Sequence, residues 1–200
     1  MKSRKKLSIF ILTLTILFQV SLAHAYVIDS LPLFWTQNWH PHVTLSSLEN
    51  TAATNAASTW NSAPGNLKFS KQTQSSGTID LSDTRNDVAA LNFSQYEFLP
   101  NNFIGAIYRQ PLNGTTHRNF DIFLNRDYNW GDGSSPDYFD RQGVFTHEFG
   151  HALGLGDVYV MSTPVPTMYY DGTYFSYAMR TLENDDRSGK LEIENRLNNK

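Results

Sequence analysis

The residues with the most chemistry in this chain are His147, Glu148, His151 and Asp157, in the run His147-Glu148-Phe149-Gly150-His151-Ala152-Leu153-Gly154-Leu155-Gly156-Asp157. On a helix, residues four apart leave the same face about one turn apart, so both imidazoles can grip one zinc ion. Glu148, beside the first histidine, can reach a water on that metal and take its proton. Gly154 and Gly156 permit the positive-φ turn that ends a helix, and the reversed chain can bring Asp157 back as third ligand. Three protein ligands leave a fourth position for water, which is the arrangement of a catalytic rather than a structural zinc site.

The same helix must be anchored, and Phe145, Phe149 and Leu153 repeat at a four-residue step on another face. The spacing predicts a second helix over Ser46–Asn61, capped by Ser46 or Ser47, with Glu49 in its first turn and an alanine face ending at Trp60. Leu31–Thr44 reads as a lead-in segment or first strand, in which His40 and His42 are loop histidines rather than ligands. A strand begins at Leu67, and Thr78–Leu81 alternates as a half-buried strand. Ser82–Asn92 reads as loop, Phe103–Arg109 as a strand made low in relief by Gly105 and Ala106, and Phe120–Asn125 as a strongly apolar strand. The turn-rich Gly131–Asp140 carries Asp132, Asp137 and Asp140, whose oxygens could hold Ca2+ or form a solvated acidic loop. A last helical segment covers Leu182–Leu197.

Composition narrows the class. Residues 1–25 combine Lys2, Arg4, Lys5 and Lys6 with an apolar run and Ala23-His24-Ala25, the pattern of a cleaved secretory signal. That leader holds four of the 16 basic residues and none of the 19 acidic ones, leaving 12 against 19 and a net charge of −7. Such a balance argues against nucleic acid as a partner. Residues 26–200 are expected to form one domain, monomeric and secreted, with no stable membrane association once the signal is removed. The sequence contains no cysteine, so no disulfide supports the fold.

The zinc motif, its trailing glycine and aspartate, and Met168 downstream together resemble the metzincin pattern H-E-x-x-H-x-x-G-x-x-H/D with a methionine turn. The chain is most similar to the small bacterial matrixin-like proteases, and Asp157 in the third position is similar to the snapalysin aspartate. The resemblance implies an α+β metzincin-like catalytic domain: a twisted mixed sheet with two main helices, a zinc helix, a Met-turn and a C-terminal helix. It implies that the strand at Phe103–Arg109 borders the cleft and pairs with an extended protein or peptide substrate. A purely structural edge remains the other reading of that strand. It also implies that Met168 supports the ligands from below and that Asp171–Tyr177 walls a substrate pocket. Tyr170 matches a tyrosine that touches the metal or transition state in some metzincins, a role matrixins lack. Asp185, Asp186 and Gly189 resemble the start of the matrixin closing helix, whose usual ending is replaced here by Leu191-Glu192-Ile193-Glu194. The expected activity is a secreted zinc metalloendopeptidase with Glu148 as general base. The alternatives are a catalytically silent, zinc-stabilised binding protein on the same fold, and a zinc hydrolase acting on something other than peptide.

Overall fold

The computed structural model describes residues 26–113, 116–133, 137–170 and 177–200. The expected signal at 1–25 and most of the expected pocket wall at 171–177 lie outside the described residues. In chain order the elements are β1 (Val27–Ile28), β2 (Leu31–Pro32), β3 (Thr36–Pro41), α1 (Ser47–Ser62), β4 (Lys68–Lys71), β5 (Asp87–Leu91), β6 (Gly105–Asn113), β7 (Thr116–Asn125), β8 (Trp130–Gly131), β9 (Phe139–Asp140), α2 (Arg141–Leu153), β10 (Leu155–Gly156) and α3 (Asn184–Asn198).

The main sheet is mixed. β4, β3, β5 and β7 lie side by side in parallel, and β2 adds a short parallel pair at the start of β7. β6 runs antiparallel to β7 and, among the described residues, pairs with nothing else, so it is an edge. One sheet face packs on the helices through Val88, Phe120, Ile122 and Leu124; the other carries a smaller cluster of Ala89, Leu91, Phe93, Leu99 and Phe123. This is the α+β architecture expected, with two corrections along the chain. The segment read as loop at 82–92 contains β5, a central strand, and the strand expected at Thr78–Leu81 does not form. Ile79 and Leu81 instead pack as irregular chain against the smaller cluster.

Two helices hold the site from behind. α1 starts with a capping box in which the Ser46 hydroxyl accepts from Glu49 N–H and Glu49 accepts from Ser46 N–H at 2.7 Å. Its alanine face lets α2 approach closely, and Trp60 Nε1 donates to Thr146 O of α2 at 2.7 Å. The unusual ending of α3 has a defined use. Glu194 accepts from Asn66 N–H and Leu67 N–H, and the fully buried Lys190 donates to Pro64 O, so two α3 side chains fix the chain leaving α1.

Candidate metal centre

α2 begins where the Asp140 carboxylate accepts from Gly143 N–H at 2.7 Å. It stops at Gly154, whose φ of +108° is the left-handed turn read from the sequence. Two residues of β10 follow, and Asp157 faces back toward the helix. His147 Nδ1 lies 2.9 Å from Thr167 O and His151 Nδ1 2.8 Å from Leu155 O. Carbonyls only accept, so both Nδ1 atoms carry hydrogen, the tautomer in which Nε2 can ligate a cation.

Those lone pairs converge. The two Nε2 atoms are 3.0 Å apart, and Asp157 Oδ1 lies 3.1 Å from His147 Nε2 and 3.4 Å from His151 Nε2. Ligands on a tetrahedral ion with bonds of about 2.0–2.1 Å stand about 3.3–3.4 Å from one another, so the triangle fits zinc. Asp157 Oδ1 is buried with no hydrogen-bond donor on it. Three electron-rich atoms at this spacing repel one another unless a cation or a proton sits among them. Protonation alone shows the same tension. Burial pushes the His147 imidazole down, yet Asp157 and Glu148 outweigh it and hold it above its ordinary value. Burial pushes the Asp157 carboxyl up, and the two imidazoles drive it well below the usual carboxylate range. Among the described residues this is the group whose ligand atoms gather closely enough for a metal.

The other sequence candidates stay apart from it. His40, read as a loop histidine, lies instead in β3 opposite Asp87, with Nδ1 2.9 Å from Thr73 O, and His42 is held by Thr44 Oγ1 and Gly77 O. In the acidic loop, Asp140 is engaged twice over, capping α2 and accepting from Arg180 at 2.6 and 2.8 Å, while Asp132 pairs with Arg141. Tyr170 lines the cleft with its ring 6.4 Å from that of His147.

Glu148 is buried beside the ligands, and burial raises its carboxyl above the ordinary value. A Cβ on Gly105 of β6 would stand 2.8 Å from Glu148 Oε1, so glycine there clears the space this carboxylate occupies. Met168 is buried and packs against α2 at Gly150. A Cβ on Gly150 would come within 2.2 Å of Met168 Sδ and 2.8 Å of Trp60, so the glycine between the two histidines lets the methionine close under the helix. The turn at Thr167–Met168 is itself pinned by Asp186 of α3, which accepts from both backbone N–H groups at 2.9 and 3.2 Å. A relay therefore runs from Asp186 through Thr167 to the His147 ring. Gly150 and Asp186 carry no motif that marks these roles, and the proximity of Gly105 to Glu148 is equally absent from local pattern.

The cleft in front has a volume of about 550 Å3 and is bounded by β6 on one side and by Asp157, Tyr159 and Tyr170 on the other. The Matrixin family model matches residues 34–193. The chain belongs to the matrixins. A curated relative of this matrixin is "Matrix metalloproteinase-25" of Mus musculus, 37% identical over 90 residues, which cover 44% of this chain and 13% of that protein. The matrixins are a metalloprotease family, and the His147–His151–Asp157 group is the part of this structure that fits a metal site. No helix among the described residues is long and apolar enough to cross a membrane.

Proposed function

We propose that this matrixin is a secreted zinc-dependent endopeptidase with His147, His151 and Asp157 as ligands and Glu148 as general base. The observation that carries the reading is the triangle of two Nε2 atoms and one carboxylate oxygen at 3.0–3.4 Å, with a buried carboxylate next to it in an open cleft. A zinc ion held there supplies Lewis acidity, polarising a scissile carbonyl and acidifying a water. The remaining work falls to the chain. Glu148 accepts the proton of the attacking water and returns it to the leaving amine, and its raised affinity for protons suits a group that must do both near neutral pH. The edge of β6, unpaired among the described residues, can receive an extended peptide as an added strand, holding the scissile bond over Glu148. The Thr167 and Leu155 carbonyls keep both histidine rings in the ligating tautomer. Secretion is supported by the basic, apolar and small-residue sequence of residues 1–25.

Casein hydrolysis by the purified protein tests this directly. Glu148→Gln should keep its zinc while the rate falls by about 10²–10⁴-fold. Asp157→Ala should lose zinc as well as activity. Zinc bound by wild type without cleavage of any protein substrate would favour the silent binding protein instead, and cleavage undiminished in Glu148→Gln would remove the general base from the scheme.

A further inference from the structure

The turn that carries Asp157 is overlaid by a segment from the far end of the chain. β1 pairs antiparallel with β10, placing Val27 opposite Gly156, and the N–H groups of Asp29 and Ser30 both reach Gly154 O. The approach is close enough that a Cβ on Gly154 would stand 2.0 Å from Ser30 O. Arg109 of β6 joins these parts. Its guanidinium donates to His151 O at 3.3 Å and Ser30 Oγ at 3.2 Å, and forms an ion pair with Asp29. His117 of β7 completes the arrangement: Ser30 Oγ–H donates to its Nδ1 at 2.8 Å, and its Nε2–H donates to Ala152 O at 3.1 Å.

We propose that Arg109 is a positioning residue for the metal centre, holding the end of α2 and the overlying strand β1 so that His151 and Asp157 keep their spacing. The last carbonyls of a helix lack partners within it and carry partial negative charge, so a cation there is favoured. Here the carbonyl engaged is that of a proposed ligand residue, His151, which accepts from Gly154 N–H at 2.9 Å and takes Arg109 as a second, charged donor. The planar fork of arginine serves three acceptors from two segments at once, which the compact ammonium of lysine does not. The ion pair with Asp29, a side chain 51% exposed, contributes little alone, so the effect resides in the contact with His151 O and Ser30. Metal sites need their ligands held to within about 0.5 Å, and supporting contacts set that precision.

The inference rests on the metal reading above but not on peptide cleavage, so its readout is zinc release. The full protein, loaded with zinc, is mixed with excess chromogenic chelator, and release is timed for wild type, Arg109→Met, Arg109→Lys and Ser30→Ala. Arg109→Met should release zinc about tenfold faster or more, with Arg109→Lys in between. Adding Ser30→Ala to Arg109→Met should accelerate release no further, because both act through one contact set. Cobalt-loaded Arg109→Met should show a shifted visible absorption band. A variant with lowered Tm but wild-type zinc release and an unshifted cobalt band would reduce Arg109 to a structural role and overturn the proposal. Should Arg109→Met fail to fold, Ser30→Ala decides: faster release supports the proposal and wild-type release overturns it. Wild type that takes up no zinc would overturn the metal reading together with this one, a result distinct from any of these.

Discussion

Asp186 and Asp121 are equally buried, at 2% and 1% exposure, yet their surroundings differ. Asp186, under the metal site, accepts from the N–H groups of Thr167, Met168 and Glu183. Asp121, on the far side of the sheet, accepts from Asp87 N–H at 2.8 Å, while its Oδ2 and the neighbouring Asn119 Oδ1 are buried without a partner. Burial raises both carboxyls; at Asp186 three donors pull back against it, whereas at Asp121 the charges of Asp87 and Asp83 add to it and the value reaches about 7. A buried charge is tolerable in proportion to the donors aimed at it. The matrixin has placed its complete set where the orientation of the His147 ring depends on it, and left the incomplete set where only the fold is at stake.

Removing the well-supplied carboxylate should have the largest effect. Asp186→Ala strands three backbone N–H groups, each costing about 1–3 kcal/mol when left buried and unpaired, so a loss of about 3 kcal/mol or more is expected in urea unfolding. Zinc retention should fall with it, since Thr167 O orients His147. Stability lost with zinc release unchanged would break the link between α3 and the metal site.

Gly150→Ala probes the same region by crowding. With Met168 Sδ at 2.2 Å from the new methyl group, overpacking should cost about 1–3 kcal/mol despite the better helix propensity of alanine. The paired substitution Met168→Ala should recover part of that loss, and a cycle showing no coupling would mean the two do not share the space.

The incomplete site should respond to pH. Asp121 titrates near 3.8 when unfolded and near 7 when folded, so between those values the folded state binds the extra proton and stability declines as pH rises, levelling off above about 7. His117 works in the opposite direction. Burial lowers it from 6.5 to about 4, so its contribution is present above 6.5 and is lost as pH falls through 4. The two offset each other in the wild type, and Asp121→Asn should expose the difference: little change at pH 4.5, and a gain on the order of 2 kcal/mol at pH 8. A gain equal at both pH values would show that ionisation is not the cause.

What could be read from the sequence was local. The spacing of His147, His151 and Asp157, the turn at Gly154, and the Ser46–Glu49 cap all involve residues within eleven positions of one another, and the structure brings each group together. β5 escaped notice because it is buried on both faces: Val88 and Ala90 enter one cluster, Ala89 and Leu91 the other, so no alternation marks it, and it opens on the charged Asp87. The converse happened at Ile79 and Leu81, which alternate without forming a strand because both merely cover an apolar patch. Asp186 could be read as part of a helix start resembling the matrixin closing helix, but not as a clamp on Thr167, and Arg109 looks like any charge on an edge strand. Their importance comes from carbonyls and N–H groups tens of residues away, and only the fold sets those distances.

The carbonyls that orient the two histidines come from Leu155 and Thr167, both later in the chain than the rings they hold, and Thr167 is in turn pinned from α3. A nascent chain that has just emerged through the helix of His147 and His151 therefore has imidazoles free to rotate and to exchange tautomers. The rings are fixed in the geometry proposed for a metal only when synthesis has passed Asp186 and α3 has docked. On the proposed metal reading, the ion belongs to the end of folding, and its uptake reports that α3 is in place.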